Sequence, residues 1–216
     1  MSLTLHAPFD PAPVVAQLAE ADPEFGAAIA RVGPLARLAE ARGTPFEVLL
    51  RSIVYQQLSG KAAGTIHGRV CGLFPRAKPT PDRLAALSQD ALRAAGLSRA
   101  KTLAVQDLAA RTLDGTVPAT TAGMHRLDEE EIIARLTTVR GVGRWTVEMF
   151  LMFRLGRPDV LPVTDLGVQK GYAVAFGKRW LPTPKQLLRR GERWRPWRTV
   201  ASWYLWSLAD IGPQTG

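Results

Sequence analysis

The sequence predicts an all-α protein with two helical lobes, and two features of the chain support this fold class. Apolar residues recur at intervals of three and four along most of the sequence, which is the spacing of amphipathic helices. Proline and glycine interrupt these patterns repeatedly, and only Val160–Val163 has the character of a strand. With 216 residues and 46% hydrophobic content, the chain is long enough for one substantial core or two small lobes.

The first well-defined helix is predicted to start after Thr44. Thr44 is a typical N-cap residue, Pro45 suits the first turn, and Glu47 completes a capping box. One face of the helix that follows is apolar, at Phe46, Leu49, Leu50, Ile53, Val54 and Leu58. The same criteria predict helices at Ala62–Phe74, Pro81–Leu87, Asp90–Ala95, Ala100–Leu113, Glu129–Leu136 and Arg144–Leu155.

The chain changes character after the last of these helices. Pro158 and Pro162 indicate that Gly156–Thr164 is an extended connection. Leu166–Phe176 is helical in pattern, and prolines at 184 and 196 are expected to open two final helices. We therefore expect residues 44–156 to form one helical bundle, and residues 1–43 with 157–216 to form the second lobe.

The charge and cysteine content narrow the classes of function. The 28 Lys and Arg residues exceed the 19 Asp and Glu residues, so a polyanion is the expected partner, although a basic surface also serves solubility. The only cysteine, Cys71, excludes an internal disulfide, a zinc site built from cysteines and a four-cysteine iron–sulfur cluster. Because no signal peptide or long apolar run is found, we expect a soluble cytoplasmic protein.

A glycine-rich turn between two predicted helices is a candidate phosphate site. Gly141 and Gly143 flank Val142, and glycine at both positions allows positive φ and leaves no side chain in the way of a phosphate. The main-chain N–H groups at the start of the next helix, up to Thr146, point toward such an anion. Arg140 and Arg144 add positive charge. A bare Gly-x-Gly is more often an ordinary tight turn, so this pattern needs further support.

Asp165 is the candidate catalytic carboxylate. It follows Gly143 by 22 residues and stands just ahead of a predicted helix. On local sequence alone, an aspartate in this position is an N-cap. The two roles are compatible, since a carboxylate at a helix N-terminus stays ionised and can stabilise a positive charge.

The hairpin pattern Leu136-x-x-Val139-x-Gly141-Val142-Gly143, followed by Asp165, resembles the helix-hairpin-helix DNA glycosylase superfamily. The resemblance implies that Asp165 is catalytic and lies in a cleft between the lobes. It implies phosphate binding by Arg140, Gly141, Gly143, Arg144 and Thr146. It also implies a monovalent cation, Na⁺ or K⁺, held by the main-chain oxygens of Thr137, Val139 and Val142.

Two further stretches are similar to the bacterial 3-methyladenine DNA glycosylase II family. In Ile53–Ser59, Gln57 aligns best with the residue that fills the gap left by an extruded base; Leu58 is the alternative, unless it is a core residue. In Trp194–Trp206, Trp206 matches a tryptophan of the base pocket, although helical spacing alone would place Trp203 and Trp206 in the core. The implied base pocket comprises Trp206, Trp145, Met149 and Tyr55.

The resemblance implies a monofunctional enzyme that binds double-stranded DNA as a monomer and hydrolyses the N-glycosidic bond of 3-methyladenine, 7-methylguanine and similar bases. Trp145 stands where bifunctional relatives carry a nucleophilic lysine, which closes the Schiff-base route. Met149 replaces an aromatic pocket residue. No cofactor is implied besides the cation. A passive DNA anchor is one rival hypothesis, and a glycosylase for mismatched adenine or oxidised bases is another.

Overall fold

The computed structural model describes residues 11–34 and 43–212, and regular structure in these ranges is entirely helical. This confirms the predicted all-α fold class. Within the same ranges, no helix is long and apolar enough to cross a membrane. The α-helices are α1 (Pro11–Ala21), α2 (Pro23–Val32), α3 (Pro45–Tyr55), α4 (Gly60–Gly72), α5 (Pro81–Ala85), α6 (Gln89–Ala94), α7 (Arg99–Leu113), α8 (Thr121–His125), α9 (Glu129–Leu136), α10 (Arg144–Phe153), α11 (Leu166–Ala175), α12 (Pro184–Gly191) and α13 (Arg198–Ile211).

The chain divides into two compact units. One is Arg42–Phe150, and the other combines Met1–Ala41 with Leu151–Gly216. We call them the hairpin unit and the aspartate unit, after the candidate site residues that each contains. The lobe boundaries predicted from the sequence, at residues 44 and 156, differ from these by a few residues. Residues 1–10, 35–42 and 213–216 of the second predicted lobe lie outside the described residues.

In the hairpin unit, α3 packs against α4 and α7, and α5 packs against α7. The capping box at the start of α3 is present: Thr44 Oγ1 accepts from the Glu47 N–H, and Glu47 Oε2 accepts from the Thr44 N–H. Apolar residues of α3 are fully buried, at Leu49, Leu50, Ile53 and Val54. The helix ends at Tyr55, three residues before the predicted end, so Leu58 belongs to the turn that follows.

In the aspartate unit, the main packing is between α11 and α13. The two helices approach so closely that a Cβ at Gly171 would overlap the Leu205 carbonyl oxygen. Trp194 is buried in this core and its ring lies 4.7 Å from that of Phe25. Its indole N–H donates to Asp22, a buried carboxylate that also pairs with Arg190. A buried charge pair therefore ties the N-terminal helices to α12.

Other predictions from the sequence also differ from the structure. Helices α1, α2 and α8 were not among those predicted, and α8 spans only one turn. The last helix begins at Arg198 rather than at Pro196, because Trp197 is the N-cap of α13. Val160–Val163 is not a strand. Its first main-chain N–H, that of Val160, donates to Thr199 Oγ1 at the start of α13, at 3.0 Å.

Candidate functional site

The predicted hairpin joins α9 to α10 in the hairpin unit. Its apolar residues Val139 and Val142 are buried, so the turn is anchored to the core as expected. The Val142 N–H donates to the Val139 carbonyl at 3.0 Å, which closes the turn. Gly141 has φ of 77°, a left-handed conformation that residues with a Cβ adopt at a cost.

Gly143 does not share this conformation, so the positive φ that a glycine allows is not adopted there. Its φ lies outside the left-handed region, and a Cβ added to it would meet no atom within 4 Å. The Gly143 carbonyl instead accepts from the Val147 N–H at 3.2 Å, so Gly143 immediately precedes the first turn of α10. Of the two hairpin glycines, Gly141 is therefore the one whose backbone conformation requires glycine.

The two arginines of the hairpin differ in their surroundings. Arg140 is exposed, and its main-chain N–H donates to Asp107 Oδ2 at 2.7 Å. Arg144 forms ion pairs with Glu130 at 2.6 Å and Glu148 at 3.1 Å. The hydrogen bond from Arg144 lowers the pKa of Glu130. The positive charge expected at Arg144 is thus compensated by two carboxylates, whereas that of Arg140 faces solvent.

Two further predicted functions of the hairpin depend on main-chain atoms. The Thr146 side chain is buried, so a phosphate contact from this residue is confined to its N–H in the first turn of α10. Among the carbonyls of Thr137, Val139 and Val142, that of Val139 already accepts one hydrogen bond and retains a second lone pair. No cluster of three His, Cys, Asp or Glu suited to a metal occurs in the described residues. A cation at the hairpin thus depends on main-chain oxygens.

The turn that follows α3 exposes both predicted wedge residues. Gln57 has φ of 57°, which is uncommon for a residue other than glycine. Leu58 is 39% exposed, so the alternative that it belongs to the core is wrong. Ser59 ends the turn by capping α4, with its Oγ accepting from the Ala62 N–H at 3.4 Å. We call Gln56–Leu58 the wedge turn.

Two residues that the sequence did not indicate connect the wedge turn to its surroundings. Gln56 Nε2 donates to the Gly141 carbonyl of the hairpin at 2.9 Å. Lys101 Nζ donates to the carbonyls of Val54 and Gln56, each at 2.7 Å. These contacts join residues far apart in the chain, so no local pattern could have predicted them.

Three predicted base-pocket residues belong to the hairpin unit. Tyr55 is half-buried, with the Arg51 guanidinium 4.0 Å from its ring centroid and His67 in an edge contact. Trp145, in the first turn of α10, is 46% exposed, and Met149 is half-buried. An exposed tryptophan offers an aromatic face to a ligand, whereas the Tyr55 ring is largely occupied by its neighbours.

Asp165 lies in the aspartate unit and is the N-cap of α11. Its Oδ1 atom accepts from the Val168 N–H at 2.8 Å and from Trp206 Nε1 at 2.7 Å. The preceding loop is fixed by Arg198, whose guanidinium donates to Asp159 at 2.7 Å. The carboxylate is therefore held in place by a helix N-terminus and an indole N–H.

Trp206 has a second role beyond the one predicted. Besides donating to Asp165, its ring stacks on Phe153 at 5.9 Å between centroids and meets the edge of Trp203 at 6.2 Å. Both tryptophans are half-buried, so neither is a simple core residue. Trp206 thus positions the candidate catalytic group, while Phe153 supports the Trp206 ring.

Gly167 is a site residue that sequence reasoning missed. A Cβ at this position would lie 2.6 Å from Trp206 Cδ1 and 3.1 Å from Asp165 Oδ1. Only glycine therefore lets the indole reach the carboxylate. The spacing of Gly167 and Gly171 on one face of α11 was an available signal, because small residues four apart allow close helix packing.

Comparisons with known proteins identify the family of this chain. Residues 50–196 match the family described as the HhH-GPD superfamily base excision DNA repair protein. DNA-3-methyladenine glycosylase 1 of Schizosaccharomyces pombe is 38% identical over 172 residues, covering 79% of this chain and 75% of that protein. DNA-3-methyladenine glycosylase 2 of Escherichia coli is 33% identical over 191 residues, covering 81% of this chain and 64% of that protein.

A solved structure is also similar over nearly the whole chain. It is the S. pombe 3-methyladenine DNA glycosylase in complex with abasic DNA, with a TM-score of 0.80 and 33% identity over 95% of this chain and 100% of that one. The family match covers most of the chain and includes the hairpin, the wedge turn and Asp165. The chain belongs to the HhH-GPD superfamily of base excision DNA repair proteins.

Proposed function

We propose that this protein is a monofunctional DNA glycosylase of the 3-methyladenine DNA glycosylase II type, which excises alkylated bases from double-stranded DNA. The observation that carries the proposal is the environment of Asp165. Two donors, the Val168 N–H and the Trp206 indole, converge on one carboxylate oxygen at 2.8 and 2.7 Å. A passive DNA anchor has no need of such a group.

The proposed chemistry is hydrolysis of the N-glycosidic bond. The C1′–N bond breaks first and its electron pair leaves with the base, which gives the sugar the character of an oxocarbenium ion. The ionised Asp165 stabilises this cation and orients the water that bonds to C1′, then takes up its proton. An alkylated purine that already carries positive charge is a good leaving group, so the mechanism requires no separate general acid.

Recognition of the base is assigned to aromatic residues. A cationic alkylpurine is attracted to an aromatic face more strongly than a neutral base. We assign such contacts to Trp206 in the aspartate unit and to Trp145 and Tyr55 in the hairpin unit, with Met149 of the hairpin unit as a further contact to the base. Exposure supports Trp145 in this role, while Met149 offers a polarizable side chain where the longer bacterial relatives have an aromatic one.

Binding of the duplex is assigned to the hairpin unit. The exposed Arg140, Gly141, Gly143 and the first-turn N–H groups of Arg144 and Thr146 would contact a phosphate. Gln57 or Leu58 would fill the gap left by the extruded nucleotide, which offsets the free energy of unstacking. A Na⁺ or K⁺ ion would bind the main-chain oxygens of Thr137, Val139 and Val142 and add positive charge.

The proposal includes action as a monomer in the cytoplasm. The proposed site needs no residue from a second copy of the chain. The single cysteine, Cys71, leaves no internal disulfide, which is typical of proteins from reducing compartments.

Release of free base from duplex DNA tests the proposal directly. We expect the wild type to release 3-methyladenine and 7-methylguanine from methylated duplex DNA. Asp165→Asn keeps the shape of the side chain and is expected to bind the duplex normally while losing at least about a hundredfold in rate. Borohydride is expected to trap no covalent enzyme–DNA complex, because Trp145 occupies the position of the lysine nucleophile.

The outcomes separate the rival hypotheses. A wild-type protein that binds duplex DNA but releases no base from any lesion would support the passive anchor. Release of 8-oxoguanine or of adenine opposite 8-oxoguanine, in preference to methylpurines, would support the alternative glycosylase types. An active Asp165→Asn variant would contradict the assigned catalytic residue.

A further inference from the structure

The C-terminal end of α3 is bound by an amine from another helix. The last carbonyls of an α-helix have no partner within the helix, and that end carries partial negative charge. Lys101, in the first turn of α7, donates to the Val54 and Gln56 carbonyls at 2.7 Å each. Burial lowers the pKa of Lys101, yet two carbonyl oxygens accept hydrogen bonds from the ammonium group there.

The residue that follows this contact is held in an unfavourable backbone conformation. Gln57 has φ of 57°, and a residue with a Cβ keeps such a conformation only when its surroundings enforce it. The preceding Gln56 is anchored through its main chain and its side chain. Its carbonyl accepts from Lys101, and the Gln56 side-chain amide donates to the Gly141 carbonyl at 2.9 Å. On the other side, the Leu58 N–H donates to the Tyr55 carbonyl at 3.3 Å.

We propose that Lys101 is a positioning residue that, together with Gln56, makes the wedge turn and the phosphate-binding hairpin one rigid element of the hairpin unit. Lys101 acts through the turn and not through contact with DNA. Its loss should therefore impair extrusion of a paired nucleotide and leave phosphate binding intact. The inference rests on the proposed glycosylase function, and it specifies how that function depends on a pre-formed turn.

The test compares Lys101→Met with Lys78→Met, which removes the same charge from an exposed lysine of the same unit. Single-turnover release of 7-methylguanine is measured from two duplexes, one with the lesion paired to cytosine and one with it opposite an abasic site. We expect Lys101→Met to slow release from the paired lesion by about tenfold, since hydrogen bonds of a charged group are lost. Release from the unpaired lesion should change by less than about twofold, because unstacking is then easy.

Two further variants test whether a loss in Lys101→Met arises from the wedge turn and not from misfolding or from an effect elsewhere in the protein. Gln56→Ala removes the other anchor and should give the same selective loss. In a Gln57→Ala, Leu58→Ala background, Lys101→Met should add no further loss on the paired lesion, because the residues through which it acts are gone. Amide exchange of Leu58 should be faster in Lys101→Met than in the wild type, and this readout requires no catalysis.

An equal loss on both duplexes, or unchanged release and exchange, would overturn the inference. An inactive wild type would instead refute the proposed function, and the exchange measurement would still report whether Lys101 holds the turn. A wild type that releases base while Lys101→Met behaves like Lys78→Met in every assay would refute the positioning role alone.

Discussion

At the scale of single residues, Asp165 combines two properties that local sequence presented as alternatives. It is the N-cap of α11 through the Val168 N–H, and it receives the Trp206 indole N–H on the same oxygen. Together the two donors fix the position of the carboxylate. An N-cap is thus a suitable place for a carboxylate that must be held in one orientation.

The hydrogen bond from Trp206 can be tested separately from its aromatic ring. Trp206→Phe keeps an aromatic face but removes the indole donor. Because a hydrogen bond to a charged group contributes about 1.5–3 kcal/mol, we expect the single-turnover rate of base release to fall by about tenfold or more. Duplex affinity should stay close to that of the wild type, and both quantities can be measured on the same methylated duplex.

Trp203→Phe is the matched control for this experiment. Trp203 contacts the ring of Trp206 by its edge, and no hydrogen bond to Asp165 comes from it in the described residues. Its rate of base release should therefore change much less. Equal losses in the two variants would mean that aromatic packing matters and that the indole N–H of Trp206 does not.

At the scale of elements, the hairpin between α9 and α10 depends on one glycine for its backbone conformation. Gly141 has positive φ and its carbonyl accepts from Gln56, whereas Gly143 has neither feature. The carbonyl of Gly141 also connects the hairpin to the wedge turn. A change in the hairpin conformation should therefore affect both parts of the proposed DNA interface.

Alanine substitutions at the two glycines should distinguish the effect of a left-handed backbone conformation from the effect of simply adding a Cβ. Gly141→Ala places a Cβ in the left-handed region, and we expect it to lower the free energy of unfolding by about 1–2 kcal/mol and to weaken duplex binding. Gly143→Ala meets no atom within 4 Å and should unfold at nearly the wild-type denaturant concentration. Urea unfolding and duplex titration give both quantities. Equal destabilisation by the two substitutions would refute this distinction.

At the scale of the whole molecule, the aspartate unit depends on a buried charge for the attachment of its N-terminal helices. Asp22 is only 1% exposed and accepts from Arg190 and Trp194. Burial alone would raise the pKa of Asp22, but the hydrogen bonds from Arg190, the Phe25 N–H and Trp194 outweigh it, so that the pKa is lowered. The surrounding core is apolar, which makes an unpaired charge there unfavourable.

The ion pair of Asp22 with Arg190 should make the stability of the protein depend on pH in the acidic range. The pKa of Asp22 in the folded protein lies below its pKa in the unfolded chain. The ionised Asp22 therefore contributes to the free energy of unfolding at pH values above the unfolded-state pKa. This contribution is lost as the pH falls through the folded-state pKa. Asp22→Asn should destabilise the protein by about 2 kcal/mol near pH 7, with a smaller difference from the wild type near pH 3. Urea midpoints across this range test the expectation.

Asp210→Asn is the control for the acid dependence. Asp210 is exposed on α13 in the same unit, and its substitution should leave the urea midpoint nearly unchanged at every pH. If Asp22→Asn and the wild type differed by the same amount near pH 3 and near pH 7, the destabilisation would not arise from ionisation of Asp22.

Some features of this protein follow from sequence alone because their physical causes are local. The capping box at Thr44 and the helix Glu129–Leu136 depend on residues within a few positions of each other. The positions of Asp165 and the hairpin could be predicted because their spacing resembles a known superfamily. Helix ends were less well predicted, as at Tyr55 and Arg198, because tertiary contacts decide where a helix stops or starts.

The sequence by itself determined the helical fold class and the family, and it predicted Asp165 as the catalytic carboxylate. Only the tertiary structure decided how those residues are held. Trp206 reaches Asp165 across 41 residues of chain, and Lys101 reaches Gln56 across 45. The close approach that makes Gly167 necessary is set by the packing of α11 against α13. Such contacts are fixed by the packing of whole helices, whereas a sequence pattern records only the neighbours along one helix.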